Sequence, residues 1–200
     1  YKSSNGGKDW THIGLKESHH IGRIIVHPED SNIIWVASLG HLYSSNKERG
    51  LYKTTDGGVT WINTLFINDM TGAIDLVIDP SNPDILYLSM WERERMAWNF
   101  DGSGLGSGIF KSTDGGENWK EISGGSSGFP DTEGTGRIGL DISKSNPNII
   151  YAILYRMISP RACITWRLGR ANGLPKLSMN CPWCRIGRCA QPTLKIKFLL

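Results

Sequence analysis

Cysteine is absent from the first 155 residues of this 200-residue chain, and aspartate and glutamate are absent from the last 45. The first absence excludes a disulfide scaffold or a thiolate metal centre for three quarters of the molecule. No stretch approaches the roughly 20 consecutive apolar residues that carry a helix across a bilayer, so no membrane span is expected. An initiator methionine and the basic, apolar and small-residue succession of a signal peptide are also missing. Beginning at Tyr1, the sequence therefore reads as a piece of a longer product. What is present in quantity is glycine, 24 residues, and tryptophan, eight. Many tight turns with aromatic packing suit an all-β fold better than a helical one.

The formal charge of +3 belongs to neither part of the chain: residues 1–155 carry −6 and residues 156–200 carry +9. All four cysteines, Cys163, Cys181, Cys184 and Cys189, fall in the basic part. A basic excess confined to one end gives no reason to expect nucleic acid as a partner of the acidic body. Cys181 and Cys184 have the CxxC spacing, but a zinc site would need Cys189 and the distant Cys163 as well. The strand-to-helix context of a redox CxxC is missing too. Composition, charge and motif content all change near residue 155, so residues 155–200 read as an unstructured or out-of-frame tail.

The body repeats itself. Residues 1–10 (YKSSNGGKDW), 52–61 (YKTTDGGVTW) and 110–119 (FKSTDGGENW) share an aromatic, a lysine, two hydroxyl residues, Asn or Asp, two glycines and a tryptophan. A second motif runs in step with the first: VHPEDSNIIWVA from Val26, IDPSNPDILYLS from Ile78 and ISKSNPNIIYAI from Ile142. Two motifs that keep nearly the same interval define a repeat of about 50 to 60 residues. Each unit reads as four short strands. Apolar runs at 21–27 and 73–79 end in polar turns, second runs follow at 33–38 and 85–90, the motif lysine lies in a third strand, and its tryptophan opens a fourth. Between the third and fourth strands, Asp56 and Asp114 can accept turn amides while Gly58 and Gly116 adopt positive φ; Asn5 can do the same in the first copy. Trp10, Trp61 and Trp119 are expected to bury their rings between neighbouring sheets. Four-stranded antiparallel units repeated about an axis make a β-propeller. The expectation is all-β: a partial β-propeller over residues 1–154, with whole blades at about 21–66 and 72–123 and a partial blade at either side.

These turns resemble the Asp-box, or BNR repeat, found in sialidases, xyloglucan-hydrolysing glycosidases, a photosystem assembly factor and the Vps10 domain of sortilin-type receptors. The succession GRIxxHPxxxNIIWVAxLGHL, ERGLYKTTDGGxTW and TGAIDLVIDPSNPDILY is most similar to bacterial sortilin N-terminal (Vps10-like) repeat proteins, often labelled glycosyl hydrolases. The resemblance implies an extracellular or periplasmic setting, together with a protein, peptide or carbohydrate ligand and further blades as partners. The Phe/Tyr-Arg-Ile-Pro segment that marks sialidases has no match here.

Blade geometry sends the Asp-box turns to one face and the dissimilar loops 39–50, 68–72, 91–108 and 123–136 to the other, where binding usually resides. The loop WERERMAWNFDGSGLGSG concentrates Trp91, Arg93 and Trp98, suited to stacking and to bidentate binding of carboxylates. Alternatively, its arginines and glutamates pair with one another while the rings pack on the blade. Arg23 and Arg137 begin inner strands and point toward the channel, as an anion site or as a channel ion pair. His41 stands alone and reads first as a structural group, so no metal is expected. The glycine run 102–108 lacks the G-x-G-x-x-G spacing and leads into a strand, so it reads as a flexible loop and no cofactor is expected. Asp69, Glu92, Glu94, Asp101, Asp131 and Glu133 are the acids available to a hydrolase on this face, and none can be assigned as catalytic. The function expected is a ligand-binding or scaffold propeller module. The alternative is part of a secreted glycoside hydrolase.

Overall fold

The computed structural model describes residues 1–129, 134–156 and 194–199. Its first sheet is a meander of β1 (His20–Val26), β2 (Ile34–Gly40), β3 (Gly50–Thr54) and β4 (Ile62–Leu65), hydrogen-bonded in chain order. The second sheet repeats it with β5 (Thr71–Asp79) and β6 (Asn82–Glu92), then β9 (Gly108–Ser112) and β10 (Lys120–Glu121). Between its second and third strands a two-stranded ribbon, β7 (Glu94–Arg95) and β8 (Phe100–Asp101), projects from the sheet. A third sheet joins β11 (Thr135–Ile142), β12 (Ile149–Arg156) and β13 (Leu194–Leu199), all antiparallel. The inner strand β5 packs against both β1 and β11. The fold is therefore a partial β-propeller of antiparallel blades. Of residues 155–200, Tyr155 and Arg156 complete β12 and 194–199 lie along it; the four cysteines lie outside the described residues.

Period-two alternation explains how one sheet serves two cores. On β6, Leu86, Leu88 and Met90 face the first sheet, joining Trp35, Ala37 and Leu51, while Tyr87 faces the third, among Ile138, Leu140 and Leu154. Where inner strands meet, side chains give way. A Cβ on Gly22 would collide with the Ile74 carbonyl, so β1 and β5 approach closely only because that residue is glycine.

The three turns share one hydrogen-bond design. Ser112 Oγ accepts the Gly116 amide at 2.8 Å, while Asp114 accepts the amides of Glu117 and Asn118 at 3.1 and 2.9 Å. Thr54 and Asp56 repeat this pattern, and Asn5 with Ser3 reproduces it using a neutral amide. Gly115 and Gly116 hold φ of +69° and +84°, and there is no room at Gly116 for a Cβ beside the Trp35 indole. That indole explains the interval of the repeat: Trp35 Nε1 donates to the Gly115 carbonyl of the next sheet's turn at 3.1 Å. Beside it Lys53 pairs with Glu117 at 2.5 Å, and Lys2 Nζ reaches the Gly57 carbonyl at 3.5 Å in the preceding copy. The motif lysine thus ties one repeat to the turn of the next.

Trp119 packs against the first core and Trp61, half-buried, donates to the Ile13 carbonyl at 2.7 Å. Trp10 departs from expectation: it is 61% exposed, because no described sheet lies beside the first turn. The outer side of β1 is uncovered for the same reason. Ile21, Ile24 and Val26 border an apolar groove of about 750 Å³ with Leu15, Val36 and Trp61. A continuous apolar face of this kind favours association. Sedimentation of the isolated chain should reveal self-association that Ile24→Lys reduces; a monodisperse parent would contradict this.

The turns also confer a pH dependence. The amide and side chain of Asn118 and the Ser112 hydroxyl lower the Asp114 carboxyl from the ordinary 3.8 to about 2. Thr60, through its side chain and amide, and Thr54 likewise hold Asp56 well below the carboxylate range. A carboxylate depressed by folding stabilises fully above its unfolded pKa, and that contribution is lost as pH falls from about 4 through its folded value. Asp114→Asn should flatten the decline in melting temperature between about pH 4 and pH 2. An unchanged slope would show that the turn carboxylate is not linked to folding.

Candidate functional site

The long loops converge at the face opposite the turns, held together by main-chain bonds. Asn46 N–H donates to the Asp69 carbonyl at 3.0 Å, Arg93 N–H to Met70 at 3.1 Å and Gly104 N–H to Thr135 at 3.1 Å. At their centre lies Arg49, 1% exposed, immediately before β3. Its guanidinium donates to Asn46 Oδ1 and to the carbonyls of Met70, His41, Ser44 and, at 3.5 Å, Arg93. Burial, with the nearby Arg93 charge, lowers its pKa to about 10, against a smaller opposing effect of Asp69. It remains a cation at neutral pH and fastens three loops through carbonyl acceptors. The repeat offers one clue to it: ERG precedes LYKTT where GSG precedes IFKST, so an arginine interrupts a position otherwise held by serine.

Arg93 is the contrasting case. It is 7% exposed, yet neither its Nε nor its Nη2 has a hydrogen-bond partner. Its guanidinium lies 5.3 Å from the centre of the Trp91 ring, and Arg137 lies 6.0 Å from the same ring. Arg95 sits 6.0 Å from Tyr43 and 5.8 Å from Phe100. Burial foremost, then the charges of Arg95 and Arg137, depress the Arg93 pKa. Among the described residues the ion pairs are Arg23 with Asp75 and Lys53 with Glu117, so none of these three arginines is paired with a described acid. A cavity of about 260 Å³ opens here, lined by Tyr43, Ser44, Arg49, Arg93, Glu94, Arg95 and Met96.

The 91–108 segment is more ordered than a flexible loop. Trp91 Nε1 donates to the Gly102 carbonyl at 2.8 Å, and its ring meets Phe100 edge to face. Glu92 accepts the Gly106 amide at 2.7 Å, and Cβ atoms on Gly104 or Gly106 would strike Glu92 or Thr71. The glycines permit close packing around a carboxylate. The alternative of mutual Arg–Glu pairing is not what the loop adopts: Glu92 is taken by backbone, and Asp101 accepts from Ser103.

Trp91, Arg93 and Arg137 therefore come together. Arg23 lies apart, 3.5 Å from Asp75 as a channel ion pair, and Trp98 is 85% exposed. His41 is not alone: its ring lies 3.8 Å from that of His19. Asp131 and Glu133 lie outside the described residues.

No protein-family model matches the chain. No curated protein matches it either. Solved structures do match. An ancestral GH74 enzyme is similar at 18% identity and a TM-score of 0.40, over 89% of this chain and 28% of that one. The GH74 xyloglucanase from Xanthomonas campestris is similar at 18% identity and a TM-score of 0.48, over 70% of this chain and 19% of that one. The chain thus spans less than a third of the length of either enzyme.

The two buried arginines should respond oppositely to truncation. Arg49→Met strands several buried acceptors and should cost about 3 kcal/mol or more in denaturant titration. Arg93→Met removes an uncompensated buried charge and should leave stability unchanged or raised. Equal losses in the two variants would contradict this division.

Proposed function

We propose that the loop face binds a carboxylate-bearing carbohydrate, with Arg93 as its central anion-binding group and Arg95 and Arg137 as flanking charges. The observation that carries this reading is the buried, unpartnered guanidinium edge of Arg93 inside an otherwise acidic body. A planar guanidinium whose Nε and Nη2 lack partners suits bidentate capture of a carboxylate that displaces the side chains now covering them. Exposed aromatic surface lies beside the flanking Arg95: Tyr43 is 60% exposed and Phe100 41%. Flat rings of this kind can take the apolar face of a sugar, and the arginines then select an acidic one. Arg49 is the strut that holds the loops around the cavity, not a contact to the ligand. A polysaccharide ligand fits an extracellular or periplasmic setting, and further blades would extend the binding face.

A peptide-binding role of the sortilin kind is the competing reading, since an acidic peptide could present the same carboxylate. Hydrolysis remains an activity of the matched GH74 enzymes; Glu92 and Asp101 here are engaged in shaping their own loop, and no residue of this chain is assigned to bond cleavage.

The test is isothermal titration with oligogalacturonate, a neutral xyloglucan oligosaccharide and a poly-glutamate peptide. Binding of the uronic oligosaccharide should weaken at least tenfold in Arg93→Met without a fall in melting temperature. Preference for the neutral sugar would overturn the role given to the arginines, and preference for the peptide would support the sortilin-like reading instead.

A further inference from the structure

We propose that Glu17, His19 and His41 form a binding site for a divalent transition metal, zinc by donor chemistry, independent of the arginine cavity. The side-chain ligand atoms of these three residues all lie within 4.8 Å of one another. They come from two separate stretches: Glu17 from a short 3-10 helix (Lys16–Ser18), His19 directly after it, and His41 directly after β2. The donor set, two imidazoles and one carboxylate, is one that zinc accepts with its fourth position left to water.

A metal-ligand role is favoured over ring stacking by the state of His41. Its Nε2 is buried and has no hydrogen-bond partner, while Nδ1 lies 3.1 Å from Ser44 Oγ. A buried ring nitrogen without a partner is costly. With the Nδ1 proton donated to Ser44, the Nε2 lone pair is free for a cation, the arrangement that orients metal-binding histidines. The surrounding backbone is fastened by side-chain contacts. Asn46 Oδ1 accepts the His41 amide at 3.2 Å and Asn46 Nδ2 reaches the Glu17 carbonyl at 3.4 Å, so one side chain fastens both stretches. Leu15 and His19 hold φ of 57° and 50°, left-handed values that are unfavourable for residues with a Cβ. Tetrahedral zinc at about 2.0 to 2.1 Å from each ligand needs ligand atoms about 3.4 Å apart. Side-chain rotation of the exposed Glu17 and His19 can supply that closure. The bound ion would clasp the 15–19 segment to the loop after β2.

Cobalt(II) titration of the full chain, with Cys163, Cys181, Cys184 and Cys189 carboxamidomethylated so that thiolates cannot contribute, tests the site. One equivalent should bind with visible ligand-field bands. His19→Ala and His41→Ala should each abolish these bands, Ser44→Ala should weaken binding about tenfold, and His27→Ala should leave both bands and affinity unchanged. Absence of the bands, or their survival in His19→Ala and His41→Ala, overturns the proposal. A second measurement needs no variant: zinc should protect the exposed His19 of the parent chain from diethyl pyrocarbonate, mapped by mass spectrometry, while His12 and His27 still react. Equal reactivity of all histidines with and without zinc overturns the proposal as well.

Discussion

The architecture turns on Asp75, a single carboxylate at the middle of the central inner strand. One oxygen faces Arg23 of the first sheet at 3.5 Å, and the other accepts the Leu140 amide of the third sheet at 2.9 Å. Ser89, opposite Asp75 on β6, adds a bond of 2.8 Å to the Ile138 carbonyl. Inner strands are where the blades crowd, so there is little space for apolar bulk and a strong demand that polar backbone be satisfied. Gly22 and Gly139 flank this carboxylate in neighbouring inner strands, and a Cβ on Gly139 would lie 3.9 Å from it. These contacts tie the three inner strands to one another.

The outer ends of the blades obey a different constraint. There the Trp35 indole, the motif lysine and the glycine turn form a seam in which each repeat holds the next. Hydroxyl, carboxylate and two glycines make the turn rigid enough to offer a carbonyl at a fixed place, and Asn5 shows that the geometry needs acceptor atoms more than it needs charge. The inner contact and the outer seam leave the loop face as the one end free to vary. Arg49 can be buried there only because three loops bring carbonyls to it, and Arg93 is buried without that compensation.

How much of this was legible depended on whether a residue acts locally. The repeat interval, the strands and the turn chemistry are short-range properties, and the strands lie within a few residues of the runs that announced them. Trp91, Arg93 and Arg137 were recognisable as binding types, although nothing in their spacing places Arg137 over the same ring as Arg93. Arg49, Tyr43 and His19 carry little local signal because the partners that give them a role lie in other loops. His41 looks solitary in the sequence because its companion, His19, is 22 residues away. The glycine run has the composition of a slack loop, but close packing against Glu92 and Thr71 is what excludes side chains there.

By itself the sequence determined the blade: period-two alternation, a hydroxyl–acid–glycine turn and a tryptophan recurring at one interval allow a four-stranded meander and little else, because these preferences are written into neighbouring residues. Only the tertiary structure decided which charges are neutralised and which are left bare. Arg23 is paired, Arg49 is satisfied by carbonyls, and Arg93 is buried without an acceptor, although all three are the same residue type. The physical reason is that desolvation and Coulomb energy depend on what folding brings within a few ångströms, and no local pattern encodes that.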